Sequence, residues 1–384
     1  MIRKLLLVLP AISIVVALIA PIRAEDSTAA RVAVDRLIAA SRIYDEREML
    51  VASESLAKIG GPAVGALRAA MEDFDDNVRW QAIVALGKIG DPARIAVPDL
   101  RAALTDVDPD VRASAAESLG KLDAKQAAVV SALKATRRDP HGMVRASANW
   151  ALWKLTGDKR SIPNLLSLLA DRDWFVTQRA VRHLGQIGSP TVPALVRRLP
   201  DRNATVRVNA AASLARMRRR ARPAIEPLTE RLADCDPRVA STAAAALGSI
   251  GPAAIPSLVR FLETQPRAGR IYALRALAAI GPKSAAALSL VLSNVAHPEL
   301  AIRLEAIGTI GRIGPCASRA VPILMRLLDH TSADVRGATC AALAKLGPRA
   351  RKAEARLKAV AADDPADFVR QAARAALSNL GPAR

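Results

Sequence analysis

The chain has 384 residues, 51% apolar but only 3% aromatic, with a net charge of +20. That apolar fraction excludes a wholly disordered chain, and the shortage of Phe, Tyr and Trp argues against the bulky core of a conventional large globule. The apolar residues are mostly Ala with Leu, Val and Ile, which suit closely packed helices. Of the 56 basic residues 12 are Lys and 44 are Arg, a bias that genome composition alone can produce, so the charge does not by itself name a ligand.

Residues 1–24 read as a secretory signal. Arg3 and Lys4 form a positive start, residues 5–20 are uncharged and apolar apart from a break at Pro10, and Ile22-Arg23-Ala24 resembles a cleavage site. Left uncleaved, the same run is just long enough to anchor the chain in a membrane. Either way the bulk of the protein is expected to be exported, to a periplasm or to the exterior. Membrane contact would then come only through residues 1–24. Losing Arg3, Lys4 and Arg23 lowers the charge from +20 to +17. No second apolar segment of spanning length is read downstream.

Residues 25–384 read as one repeat. With Val78 as position 0, Ala82 stands at +4, Leu86 at +8, Gly87 at +9, Ile89 at +11 and Gly90 at +12. The same frame restarts at Val111, Val144, Val176, Val206, Val239, Ile302, Val335 and Val369, with weaker copies at Glu48 and Gly269. Positions 0, +4, +8 and +11 lie within about 80° on a helical wheel, so they form one buried stripe. This is the second helix of each unit. The Gly at +12 stops it, and a first helix follows, often opened by Pro as in Val97-Pro98. A polar turn such as Asp106-Val107-Asp108-Pro109-Asp110 joins the two. One such pair cannot bury its own stripe, but about eleven stacked pairs can, which predicts an all-α solenoid wound as a superhelix. Ala and Leu suffice as core when every helix has neighbours on both sides.

The pattern Asp-x-x-x-x-Val-Arg-x-x-Ala-x-x-x-Leu-Gly-x-Ile-Gly resembles the HEAT repeat, in the short HEAT-like form also found in phycobilisome lyases. The resemblance covers roughly residues 28–384. It implies the solenoid fold and leaves function open, since such repeats serve scaffolds, adaptors, lyases and DNA-binding proteins alike.

Arg recurs at +1 and Asp at −5. The HEAT resemblance implies that Asp73, Arg79, Asp106, Arg112, Asp139, Arg145, Asp201 and Arg207 belong to a structural ladder tying adjacent units. Exposed pairs of this kind contribute at most about 1 kcal/mol each. One basic cluster breaks the frame. The unit starting at Val206 lacks its Gly stop and reads Arg216-Met217-Arg218-Arg219-Arg220-Ala221-Arg222. Charges this dense repel one another, which points to an anionic surface or polymer as partner.

The Trp residues also cluster. Trp80, Trp150 and Trp153 fall roughly opposite the buried stripe, and Trp174 with Phe175 lies in the next turn. In HEAT-like solenoids the second helices usually line the concave face. Trp80, Trp150, Trp153 and Trp174 would then wall a groove for a protein partner, with Glu117 and the small residues Ala113, Ala116 and Gly120 as its floor.

No catalytic constellation is read. Cys235, Cys316 and Cys340 form no CxxC pair, and His141, His183, His297 and His330 are too scattered for a zinc site. His183 reads as an ordinary part-buried residue, the other three His as turn residues, and Cys340 as a small hydrophobe. No cofactor is expected. The chain is expected to be an exported, non-catalytic scaffold or adaptor that binds a protein on its concave helical surface. Two alternatives are a bilin-lyase-like chromophore-attachment factor, suggested by the repeat subtype, and nucleic-acid or polyanion binding through the Arg clusters. Export and the scarcity of aromatics for base stacking argue against nucleic acid.

Overall fold

The computed structural model describes residues 28–264 and 269–381, which form helices joined by short turns, with no strand among them. The signal or anchor expected over residues 1–24 lies outside the described residues. The helices come in eleven pairs, and these divide into two compact units, up to Ile187 and from Gly188.

The first unit holds five pairs. They are α1 (28–42) with α2 (Glu46–Ile59), α3 (Val64–Ala70) with α4 (Asp76–Ile89), α5 (Val97–Ala102) with α6 (Pro109–Lys121), α7 (Ala127–Thr136) with α8 (Gly142–Thr156), and α9 (Ser161–Ser167) with α10 (Trp174–Ile187). The second helices stack in the order α2, α4, α6, α8 and α10, and α4, α6, α8 and α10 each also pack against their own first helix. The repeat explains why. Val111, Ala115 and Leu119 of α6 are wholly buried, as are Val144, Ala148 and Leu152 of α8. Asp75 and Asp108 cap α4 and α6 by accepting backbone N–H bonds from the first turn. Gly90 ends α4 at φ 79° and ψ −139°, a conformation open to glycine but costly for any residue with a Cβ.

The glycines at +9 have a different use. Gly87, Gly120, Gly248 and Gly311 are mid-helix, and they let successive second helices approach. A Cβ on Gly120 would come within 2.8 Å of Trp150.

The second unit holds six pairs. They are α11 (Val192–Arg198) with α12 (Ala204–Met217), α13 (Ile225–Glu230) with α14 (Pro237–Ile250), α15 (Ile255–Thr264) with α16 (Arg270–Ile280), α17 (Leu288–Ser293) with α18 (Leu300–Ile313), α19 (Val321–Leu327) with α20 (Ala333–Leu346), and α21 (Glu354–Asp363) with α22 (Asp367–Asn379). Its second helices stack in the same way, from α12 to α22. The stretch 270–296 is long and apolar enough to cross a membrane, which corrects the expectation that no such segment follows the N-terminus. It consists of α16 and α17, separated at Gly281 (φ 72°) and packed into the stack. Cys340 is buried in α20, and burial pushes its thiol up to about 11.

Candidate functional site

The turns joining first to second helices carry a ladder of arginines. Arg79 donates through Nε and Nη2 to both carboxylate oxygens of Asp106, each at 2.9 Å, one repeat along. Its Nη1 donates back to the carbonyls of Asp73 and Phe74. Arg112 treats Asp139 and the carbonyls of Asp106 and Val107 the same way. In the second unit Arg207 joins Asp234 to the carbonyls of Asp201 and Arg202, and Arg336 joins Asp364 to His330 and Thr331. Each Asp also accepts a backbone N–H two residues on, as Asp106 does from Asp108. These forks are not the exposed pairs expected: the Arg112 and Asp139 side chains are each only 10% exposed. Asp106 shows the balance. Burial would raise its pKa, but the bonds from Arg79 and the Asp108 amide outweigh burial and hold it below the ordinary value.

The ladder has gaps. Arg145 donates only to its own turn, at the carbonyls of Asp139 and Pro140, and pairs with no carboxylate among the described residues. In two units His297 and His330 stand where Asp is usual. Each accepts the amide two residues on, through Nδ1. Arg303 therefore donates to the carbonyls of His297 and Pro298, and its Nε is buried without an acceptor.

A second charge centre sits on the second helices of the first unit. One oxygen of Glu117 on α6 accepts from Ser147 of α8 at 3.1 Å and from Arg179 and Arg182 of α10 at 3.1 and 2.5 Å. Nε2 of His183 lies 3.3 Å from the same oxygen, outside hydrogen-bond geometry. The arginines thus reach across an intervening helix. Burial opposes ionisation of Glu117, but His183, Arg179 and Arg182 around it hold its pKa far below the carboxylate range. Burial pushes the imidazole of His183 down, against the pull of Glu117. His183 bonds Gln186 through Nδ1 and stacks on Trp150 with ring centres 5.2 Å apart. Lys58, Lys88, Lys121 and Lys154 follow at the same repeat position of α2, α4, α6 and α8, all reaching water. Surrounding protein lowers the pKa of Lys121. Glu117 opposes the shift, and Arg182, Lys88 and Lys154 add to it.

These contacts redraw the expected Trp groove. Trp150 does not wall an open groove: it is 8% exposed, seated over Gly120 and against His183. Trp80 and Trp153 are half-buried. Glu117 is not an open floor but the centre of an ion network. Trp174 and Phe175 are each 64% exposed, and they pack edge to face at the start of α10.

The same edge carries Phe74, 86% exposed, and Val107, 90% exposed. Phe74, Val107 and Pro140 occupy one repeat position, −4, in three consecutive units. Their carbonyls are the ones held by Arg79, Arg112 and Arg145. The ladder therefore fixes a row of exposed apolar side chains along the turns of the first unit. Reading the sequence column by column at −4 would have shown it.

A HEAT-repeat family model matches the chain over residues 34–120, 64–153, 129–215, 192–278, 225–299, 255–331 and 288–378. The chain belongs to the HEAT-repeat family. The match is to HEAT repeats in general and does not single out the phycobilisome-lyase form. No curated protein matches the sequence. Among solved structures this HEAT-repeat chain is similar to Kap121p bound to Pho4p, with TM-score 0.58, 12% identity, and 87% of this chain and 42% of that one covered. It is also similar to the karyopherin Kap121p bound to the SUMO protease Ulp1p, with TM-score 0.57, 14% identity, and 94% and 45% covered. The chain spans less than half the length of either, and at these identities the likeness is one of fold. Among the described residues of this HEAT-repeat protein, no group of three or more His, Cys, Asp or Glu side chains could hold a metal ion.

Proposed function

We propose that this HEAT-repeat protein is an exported, non-catalytic scaffold that binds a protein partner along the turn edge of its first unit. The observation that carries the reading is the row formed by Phe74, Val107, Pro140 and Trp174 with Phe175. Four of these side chains are more than 60% exposed in a chain with few aromatics. Large apolar side chains left open on a rigid support mark interaction surfaces. The arginine ladder supplies the rigidity, so the partner does not have to order the edge on binding. The half-buried Trp80 and Trp153 and the lysine row on the second helices would extend the contact. That the similar Kap121p structures are bound to Pho4p and to the SUMO protease Ulp1p is consistent with this use of the fold. Export rests on residues 1–24.

The test compares the mature wild-type chain with Phe74→Ser/Val107→Ser/Trp174→Ser as bait in the exported fraction of its own organism. A partner captured and cross-linked by the wild type and lost by the variant, with helicity and melting unchanged, supports the reading. Equal capture by both removes the edge from the function. N-terminal sequencing of the mature chain tests export: a start at Glu25 is expected, and recovery of the intact chain in the cytoplasm overturns it.

A further inference from the structure

We infer that the second unit contains a binding site for an anion with at least two phosphate-type groups, in a cleft at the C-terminal ends of α12, α14 and α16. The cleft has a volume of about 1030 Å³ and is lined by Arg218, Arg219, Arg220 and Lys283 over a floor that includes Gly248 and Ala279, with no acidic residue in its wall.

Three observations converge on it. The first is that its cations are unspent. Arg216, Arg218, Arg219, Arg220 and Arg222 are all exposed. Among the described residues none of their side chains forms an ion pair or hydrogen bond. The ladder arginines, by contrast, satisfy most of their donors within the chain. Guanidinium groups offer forked donors that match phosphate oxygens two at a time.

The second is the backbone. Arg218 stands where the repeat calls for glycine, and it adopts the glycine conformation, φ 52° and ψ −128°. The equivalent Gly60 has φ 73° and ψ −128°, and Gly251 has φ 89° and ψ −150°. An Arg side chain in this region is strained, and strain of this kind collects at functional positions. Glycine here would relieve the strain and lose the cation.

The third is charge matching. Four cations converge on one cleft. A dicarboxylate would neutralise two of them, whereas two phosphate monoesters carry about −1.5 to −2 each at neutral pH. The lining residues Gly248, Ala279 and Gly251 have little or no side chain, which leaves the room to the ligand. A free polyphosphate and a phosphorylated lipid headgroup present the same chemistry, and the experiment separates them.

Tripolyphosphate is titrated calorimetrically into the full mature chain at physiological salt. Saturable binding of one equivalent is expected. Arg218→Gly/Arg219→Gln/Arg220→Gln should weaken it roughly a hundredfold or more, since bonds to charged groups are the strong ones. The charge-matched control Arg326→Gln/Arg349→Gln/Lys352→Gln, altered on later repeats outside this cleft, should change affinity less than about threefold, as screened charges at a distance do. Arg218→Gly alone should raise the melting temperature while weakening binding. Sedimentation with phosphatidylcholine vesicles, with and without phosphatidylinositol bisphosphate, then tells the sources apart. Cosedimentation that tripolyphosphate competes away assigns a lipid headgroup, and tripolyphosphate binding without cosedimentation assigns a soluble ligand. Absence of saturable tripolyphosphate binding, or an equal loss in the control variant, overturns the site.

Discussion

The two units share one repeat but use position −4 of the turn in different ways. In the first unit that position holds Tyr44, Phe74, Val107, Pro140 and Arg172; among the described residues of the second it holds Arg202, Cys235, Pro298, Thr331 and Pro365. The first edge is an exposed apolar row, and the second has no large apolar side chain there. Charge divides the opposite way. On the second helices of the first unit the arginines Arg179 and Arg182 are tied to Glu117. In the second unit the arginines from 216 to 222 have no such counterion. The same scaffold thus holds matched charge in the unit whose turns carry large apolar side chains, and unmatched charge in the unit whose turns carry small or polar ones. A repeat fixes the stacking positions, which every unit must share. It leaves the turn and the exposed face free, and that is where the two units diverge.

The comparison breaks most sharply at Glu117. Glu117→Gln leaves Arg182 without a carboxylate and Arg179 with only Asp110, 4.0 Å away, and removing one partner of a buried network costs about 3–5 kcal/mol. The loss should be local. Hydrogen exchange should quicken in α6, α8 and α10 while the helices of the second unit keep their protection. Uniform loss across both units would show that Glu117 is not a local anchor.

Next is the ladder. Asp106→Ala strips Arg79 of its fork and should cost about 2–3 kcal/mol, less than a fully buried pair. Its counterpart is a gain in the second unit. Arg303 has a buried Nε without an acceptor, and His330 stands in the next turn where a ladder Asp is expected. His330→Asp should complete that rung and stabilise by about 1 kcal/mol. Urea denaturation of both variants checks the pair. A destabilised His330→Asp would mean that the imidazole serves the turn better than the missing rung would.

The ladder was legible because it repeats. Asp at −5 and Arg at +1 survive in enough units for the frame to show them, and the two His at −5 were visible as exceptions. Glu117 was legible only as a residue on the right face. Its partners Arg179 and Arg182 lie more than 60 residues on, and nothing periodic links them to it. Trp150 was misplaced for a physical reason. A helical wheel shows which way a side chain leaves its own helix, not how close the next helix comes. Gly120 lets α8 pack close to α6, and His183 covers the indole from α10. The Arg cluster was readable as charge, but the strain at Arg218 and the cleft below it needed coordinates.

Acid should also separate the units. The His183 pKa is lowered from 6.5 by burial, so below about pH 6.5 the unfolded chain takes up a proton that the folded chain resists. Stability from this group is complete above that pH and falls as pH drops toward the folded value. Glu117, also depressed, adds its own loss below about pH 4.3. His183→Gln should flatten the slope between about pH 6.5 and 4.5 and shrink, without abolishing, the lower part, because Arg179 and Arg182 still hold Glu117 down. Melting temperature against pH reads this directly. An unchanged slope in the variant would assign the acid sensitivity elsewhere.

The smallest effect on stability is expected where the effect on function is proposed to be largest. Phe74→Ser and Trp174→Ser remove side chains that are 86% and 64% exposed. Substitutions at such positions shift stability by no more than about 0.5 kcal/mol. The backbone at Phe74 is held through its carbonyl by Arg79, a bond that does not depend on the side chain. The turn should therefore keep its shape while losing its apolar face. If the melting temperature instead fell by several degrees, Phe74 would be packing through its contact with Arg42, whose guanidinium lies 5.3 Å from the ring centre. That outcome would make the edge a structural cover over the first turns. An unchanged melt combined with a lost partner separates binding from folding at these residues.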